Sequence, residues 1–352
     1  MRQPAHGGNL AWAAALAGCP PDAILDFSAS ISPLGPPNSA IAAIKSQIGN
    51  LKHYPDPNYS ELRRALSHFH QLPPEWILPG NGSAELLTLI GRELAQLAAT
   101  ILITPAFGDY YRTLAAYNVN VLEYPLSSVI GHWSLLVDKG QKTKDKGLLL
   151  NNPHNPTGKL FSRESILPYL EQFALVVVDE AFMDFVPPNE EQSLIPVVQE
   201  YPNLVVLRSL TKFYSLPGLR LGYAIAHPDC LAKWQLWRDP WPVNTLAVAA
   251  AIAALQDTEF QQQTWEWLPP ARNQLFQGLN EIPGLQPQAS AANFLLVESQ
   301  ESTSQLQQQL LKYHQILIRD CLSFKELGDR FFRVAVREKS DNQRLLTALK
   351  ES

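Results

Sequence analysis

Lys212 stands in the stretch Arg208-Ser209-Leu210-Thr211-Lys212-Phe213-Tyr214-Ser215-Leu216-Pro217-Gly218-Leu219-Arg220-Leu221-Gly222-Tyr223. There an aliphatic run ends in hydroxyl side chains, the lysine follows, and a second cation comes eight residues later. An amine partly desolvated by apolar or cationic neighbours gives up its proton and can attack an aldehyde. Ser209 and Arg220 supply a donor and a charge suited to a dianionic phosphate. Most lysines are simply solvated. The flanks set this one apart.

Other chemistry-bearing residues are spread along the chain. Asp179 closes the run Ala174 to Asp179, where a carboxylate could equally cap a turn or a helix. Gly80-Asn81-Gly82-Ser83-Ala84-Glu85 places a glycine loop ahead of a helical pattern, a setting in which backbone N–H groups can face an anion. Phe107 follows Thr104-Pro105-Ala106 and reads as a core or a stacking aromatic. Arg319 and Arg333 offer planar forks that match phosphate and carboxylate, or surface ion pairs. His6, in Ala5-His6-Gly7-Gly8-Asn9, reads as a ligand or as a solvated terminal residue.

These residues need a scaffold. Short aliphatic runs at Thr100 to Thr104, Gly147 to Leu150, Ala174 to Asp179 and Leu204 to Arg208 read as buried strands, with Leu221 to Ala226 as another. Helical or irregular segments between them predict an α/β fold with a largely parallel sheet covered on both faces. Ligands in such sheets sit at the carboxyl ends of the strands, where Asn151, Asp179 and Ser209 fall. Helices are expected over Leu10 to Ala17, Tyr59 to His70 and near Ser83 to Leu97. From about Thr258 a long helix, a strand at Ala292 to Val297, a helix near Ser304 to His314, and strands at Ile316 to Ile318 and Phe331 to Val336 predict a separate α+β lobe.

The 352 residues suit two unequal domains, and 46% hydrophobic with 17% charged residues describes an ordinary folded chain. A net charge of -5 with no basic block argues against nucleic acid as a partner, and Lys139 to Lys146 reads as a solvated loop. Cys19, Cys230 and Cys321 show neither disulfide nor zinc spacing, and no metal site is expected. With no apolar run of membrane-spanning length and an N-terminus unlike a signal peptide, a soluble cytoplasmic protein is expected, with no membrane partner.

The stretch around Lys212 resembles the fold-type I pyridoxal-phosphate enzymes of the aminotransferase class, and further matches follow in chain order. Asn155-Pro156-Thr157-Gly158 resembles the turn whose Asn reaches the cofactor's phenolic oxygen, and Val178-Asp179-Glu180-Ala181-Phe182 the strand end whose Asp pairs with the pyridine nitrogen. The resemblance implies pyridoxal 5'-phosphate as cofactor, carried by Lys212 as a Schiff base. It implies that Gly82, Ser83, Ala84, Ser209, Thr211 and Arg220 hold the phosphate and that Phe107 stacks on the ring. Tyr54, in His53-Tyr54-Pro55-Asp56, corresponds to a tyrosine that reaches the phosphate of a neighbouring subunit, which implies a homodimer.

Within this class the chain resembles the threonine-phosphate decarboxylases of the cobalamin pathway over nearly its whole length. The resemblance implies an N-terminal arm (1–38) that packs with the small domain and covers the site. A large cofactor-binding domain (39–255) and a small C-terminal domain (256–352) follow. It also implies that His6, Gly7, Ser30, Asn155, Arg319 and Arg333 bind a substrate with two anionic ends, an amino acid phosphate, with Arg337 in the second arginine stretch. Phe182 stands where many aminotransferases carry a Tyr, which favours the decarboxylases. Ser30 stands where the family carries an Asn, and the shorter hydroxyl changes the donor pattern. An aminotransferase acting on histidinol phosphate or a related amino acid is the alternative, because the same lysine and cofactor serve both reactions.

Overall fold

The computed structural model describes residues 6–126 and 143–352. Ala5 of the N-terminal motif and Lys139 to Lys142 of the basic loop lie outside the described residues. The first described elements are a helix over Leu10–Ala17 and a two-residue strand, β1 (Leu25–Asp26).

Among the described residues the central sheet has seven strands: β2 (Ile77–Asn81), β3 (Ala99–Thr104), β4 (Val121–Pro125), β5 (Lys146–Asn151), β6 (Leu175–Asp179), β7 (Leu204–Ser209) and β8 (Leu221–Ala226). Their order is β2-β8-β7-β6-β5-β3-β4. Neighbours from β7 to β4 are parallel, and β8 runs antiparallel to both of its neighbours. Alternate residues of the middle strands enter two different cores. Leu148, Val176, Val178, Leu204 and Val206 pack on one face, and Leu149, Val177, Val205 and Leu207 on the other. With both faces covered by apolar contacts the strands read as unbroken aliphatic runs, which is why they are visible in the sequence.

The register brings the predicted strand ends together. Asn151 pairs with Asp179, and Ser209 lies two residues beyond Leu207, the partner of Asp179. The second sheet is antiparallel, in the order β12-β13-β10-β9, from β9 (Leu285–Pro287), β10 (Phe294–Ser299), β12 (Arg319–Asp320) and β13 (Phe331–Ala335). Between them in the chain, β11 (Ile316–Leu317) pairs in parallel with β1, and Phe27 is bracketed by bonds to Leu317 and Ala335.

Several expectations need correction. Gly80 and Asn81 are not loop but the end of β2, a strand hidden in the sequence by its Pro-Gly-Asn content. The half-exposed strand β4 was also missed, because it has no continuous apolar run. The strand expected over Ile316 to Ile318 ends at Leu317, and a further strand just beyond it, Arg319–Asp320, joins a different sheet. The helix expected near Ser304 to His314 is α-helical over Thr303–Gln309 and widens into a π-helical turn over Leu310–His314. Lys146 leaves the basic loop to begin β5.

Candidate active site

A cavity of about 370 Å³ opens between the carboxyl ends of β5 to β7 and the antiparallel sheet. Lys212, three residues past β7, lines it and is half-buried. Its Nζ donates to Thr211 Oγ1 at 3.0 Å, and Thr211 Oγ1 in turn lies 2.7 Å from Ser209 Oγ. Burial first, then the nearby charges of Arg220 and Arg333, push its amine down to about 8, with Asp179 opposing them. The nucleophile expected from the sequence thus sits where its proton is easily lost.

Asp179 ends β6, buried at the wall of the cavity. Its Oδ1 accepts from the backbone N–H of Ala181 at 3.1 Å and its Oδ2 from the Tyr110 hydroxyl at 2.7 Å. Burial raises this carboxyl above the usual range, while the two hydrogen bonds and Lys212 pull it back. Just behind it, Glu180 is held by Arg208, Ser193 Oγ and the N–H of Leu194. Arg208, fully buried, also pairs with Asp184 and Glu191, so one guanidinium ties the end of β7 to three carboxylates that follow β6.

At the other side of Lys212 lies a helix N-terminus. The helix Ser83–Leu94 starts after Gly82, whose φ of 73° favours glycine, and no side chain caps it. A Cβ on Gly82 would lie 2.5 Å from Arg220 Nη2, so the glycine lets the guanidinium rest against the start of the helix. Arg220 itself adopts φ 58°, ψ 68° and donates to Pro217 O at 3.0 Å. Uncapped N–H groups, an arginine and the hydroxyls of Ser209 and Thr211 form an anion subsite.

Arg319 in β12 and Arg333 in β13 are direct cross-strand partners. Like charges opposite one another destabilise a sheet pair. Burial, reinforced by Arg319, lowers Arg333 to about 10. Arg333 lies over the Phe294 ring, 4.7 Å from its centroid, and donates to Asn155 Oδ1. That bond fixes the orientation of the Asn155 amide and leaves its N–H groups for another acceptor. Arg319 donates to Ser323 Oγ at 2.6 Å. The chain start lies close by: Gly8 N–H donates to Ser28 Oγ at 2.8 Å, and a Cβ on Gly7 would fall 2.3 Å from Ser28 O.

Of the residues expected at the site, His6, Gly7, Ser30, Ser83, Ala84, Phe107, Asn155, Asp179, Ser209, Thr211, Lys212, Arg220, Arg319 and Arg333 all line this one cavity. Among the described residues Ser30 Oγ, which is buried, has no hydrogen-bond partner. Gly82 does not line the cavity but supports Arg220 from beneath. Tyr54 is not brought to it: the side chain is 80% exposed and stacks on Trp241 at 4.4 Å. Arg337 also lies outside, donating to Asp341 and to Asp26 O, because its position in the chain follows the end of β13. Phe182 packs edge-on to Phe294 at 5.0 Å.

Sequence reasoning missed Tyr110, Ser28, Ser323 and Phe324, which also line the cavity. Tyr110 carried a readable signal. It stands three residues after Phe107, which caps the helix Gly108–Ala116, close enough for the two rings to meet edge-on.

The family described as aminotransferase class I and II matches residues 22–349, and the chain belongs to that family. It is 39% identical to the threonine-phosphate decarboxylase of Salmonella typhimurium over 98% of this chain and 96% of that one. It is 33% identical to a histidinol-phosphate aminotransferase of Symbiobacterium thermophilum over 91% of this chain and 88% of that one. The crystal structure of L-threonine-O-3-phosphate decarboxylase from Porphyromonas gingivalis superposes with a TM-score of 0.84 at 25% identity, covering 92% of this chain and 98% of that one. The cofactor is pyridoxal 5'-phosphate. The donor set fits it: an amine lowered to about 8, a buried carboxylate, and an uncapped helix start with Arg220 resting against it where only a glycine leaves room.

Proposed function

We propose that this chain decarboxylates L-threonine O-3-phosphate, using pyridoxal 5'-phosphate held on Lys212, to give carbon dioxide and (R)-1-amino-2-propanol O-2-phosphate for cobalamin biosynthesis. The observation that carries this reading is the cross-strand pair Arg319 and Arg333, both lining the cavity that holds Lys212. Planar guanidinium forks on directly paired strands suit anionic oxygens, and O-phosphothreonine brings a phosphate and a carboxylate. The similarity to the Salmonella decarboxylase along nearly the whole chain supports the same choice.

In this reading the N–H groups of Ser83 and Ala84, with Gly82, Ser209, Thr211 and Arg220, hold the cofactor phosphate. Asp179 pairs with the ring nitrogen, Asn155 donates to the phenolic oxygen, and Phe107 covers a ring face. When bound, the cofactor supplies a sink for the electron pair left at Cα as the carboxylate departs. His6, Arg319 and Arg333 grip the substrate's anionic ends, with Gly7, Ser30 and Asn155 beside them, so that remote binding energy holds the reacting bond in line. The unpartnered Ser30 hydroxyl supplies a donor and an acceptor to whatever enters. Phe107 and Phe324 form apolar walls against water. Lys212, with its amine near 8, suits the return of a proton to Cα.

The reading divides the chain into an arm (1–38), a large domain (39–255) and a small domain (256–352). The pairing of β1 with β11 supports an arm docked on the small domain, and the His6 ring, 5.8 Å from that of Phe107, supports its reach across the cavity. It extends to a homodimer in the cytoplasm. Exposed Tyr54, Ile48 and Leu51 offer an apolar face to a second copy, in which Tyr54 would reach the neighbouring cofactor's phosphate. The free thiols of Cys19, Cys230 and Cys321 suit a reducing compartment.

Incubation of the holoenzyme with O-phosphothreonine tests the reaction. Release of carbon dioxide with no 2-oxo acid present is expected. Inertness toward O-phosphothreonine, together with transamination of histidinol phosphate that depends on 2-oxoglutarate, would overturn it.

A further inference from the structure

The carboxylate of Asp179 is buried and held by two donors of different kinds. One is the backbone N–H of Ala181, which any residue at that position except proline would supply, at 3.1 Å from Oδ1. The other is a side chain from a different element: the hydroxyl of Tyr110, in the helix Gly108–Ala116, at 2.7 Å from Oδ2. Tyr110 is itself buried, and its ring meets that of Phe107 edge-on, with centroids 5.6 Å apart and planes at 88°. One residue therefore braces both the aromatic and the carboxylate of the cavity.

We propose that Tyr110 is the positioning residue for Asp179: its hydroxyl occupies one direction of Oδ2, sets the carboxylate plane, and so determines how firmly that carboxylate holds a protonated ring nitrogen. This rests on the reading that Asp179 pairs with the cofactor's pyridine nitrogen. A carboxylate accepts at two oxygens with about four lone-pair directions. With Ala181 on one oxygen and Tyr110 on the other, rotation about the last side-chain bond breaks at least one of the two hydrogen bonds. The remaining lone pairs are thus oriented before the ring arrives, and pre-organised charge stabilises without reorganisation.

The electrostatics agree with the geometry. Burial drives the Tyr110 hydroxyl well above its ordinary value, with the charge of Asp179 adding to the effect, so it remains a donor across the working pH range. Burial also works against ionisation of Asp179, and the Tyr110 hydroxyl is the largest of the influences that oppose it. Removing it would leave a buried carboxylate oxygen without that donor, at a cost typical of a charge-assisted hydrogen bond. The Phe107 ring would keep its edge contact in Tyr110→Phe, because only the hydroxyl is lost.

The experiment measures equilibrium binding of pyridoxal 5'-phosphate and of its 1-deaza analogue, which lacks the ring nitrogen, to wild type, Tyr110→Phe and Asp179→Asn. The proposal predicts that Tyr110→Phe weakens pyridoxal phosphate about tenfold or more, as expected for a lost hydrogen bond to a charge. It also predicts that the variant binds the deaza analogue as wild type does, and that the absorbance of bound cofactor changes with pH over a different range. Equal weakening of both ligands would overturn the proposal and leave Tyr110 a packing residue. Failure of the underlying reading looks different: Asp179→Asn would then weaken both ligands equally. Should Tyr110→Phe not fold, 3-fluorotyrosine placed at 110, a stronger donor of the same shape, should tighten pyridoxal phosphate and leave the deaza analogue unchanged. Parallel changes for both ligands would again refute it.

Discussion

Replacing Lys212 by Met should make the cofactor-free protein more stable. The amine sits half-buried beside Arg220 and Arg333, and these neighbours with burial bring it from the ordinary lysine value of 10.5 down to about 8. Keeping its proton at pH 7 therefore costs about 3 kcal/mol more in the folded chain than in the unfolded one. Solvent reaches part of the side chain, which reduces the figure to about 1–2 kcal/mol. Methionine keeps the apolar stem and discards the charge. The sign with pH follows. Below about 8 both states hold the proton and the full penalty applies. Between about 8 and 10.5 the unfolded chain holds a proton the folded chain has lost, so wild-type stability rises with pH and the gap closes. Urea unfolding of the two apo proteins, at one protein concentration and at pH 7 and pH 10, measures this. A Lys212→Met variant no more stable than wild type at pH 7, or a gap that persists at pH 10, would refute the reasoning. The trade is a usual one: a site built to react is less stable than it could be.

Other outcomes follow from the same geometry. Borohydride should fix the visible chromophore of the holoenzyme to Lys212, read by peptide mass, and Lys212→Ala should lose both colour and label. A label on another lysine would contradict the assignment. The rate at which apoenzyme captures pyridoxal phosphate should rise with pH through about 8, and Arg220→Gln should move that midpoint upward by removing a neighbouring cation. An unmoved midpoint would count against the electrostatic origin. Arg333→Gln should raise KM for O-phosphothreonine about a hundredfold, and Arg333→Lys should not restore it, since a point charge cannot replace a planar fork. Arg208→Leu should cost about 3–5 kcal/mol in urea unfolding by leaving Glu180, Asp184 and Glu191 without their shared cation, and a loss under about 1 kcal/mol would contradict its structural role.

The sequence was most legible where one local pattern decided the outcome. Val176, Val177 and Val178 announce a strand because both faces of β6 are buried, and Asp179 ends that run where a ligand-facing loop begins. Lys212 could be read because its flanks carry hydroxyls and Arg220 within one loop. Strand β2 was hidden because its pairing with β8 is non-local and tolerates a Pro-Gly that local propensity reads as a turn. The opposition of Arg319 and Arg333 needed the register of β12 on β13, which no spacing of fourteen residues reveals. Tyr110 and Ser323 acquire their meaning only through partners, Asp179 and Arg319, that fold against them. Tyr54 shows the opposite case: its place in a motif suggested a cofactor contact, whereas within one chain it faces outward.

The most direct test of the central claim is a partition measurement. Holoenzyme is incubated with carboxyl-labelled O-phosphothreonine and no 2-oxo acid, and carbon dioxide is counted against pyridoxamine phosphate formed per active site. The account predicts many carbon dioxide molecules per site, with little pyridoxamine phosphate. A single equivalent of pyridoxamine phosphate with no carbon dioxide would contradict it.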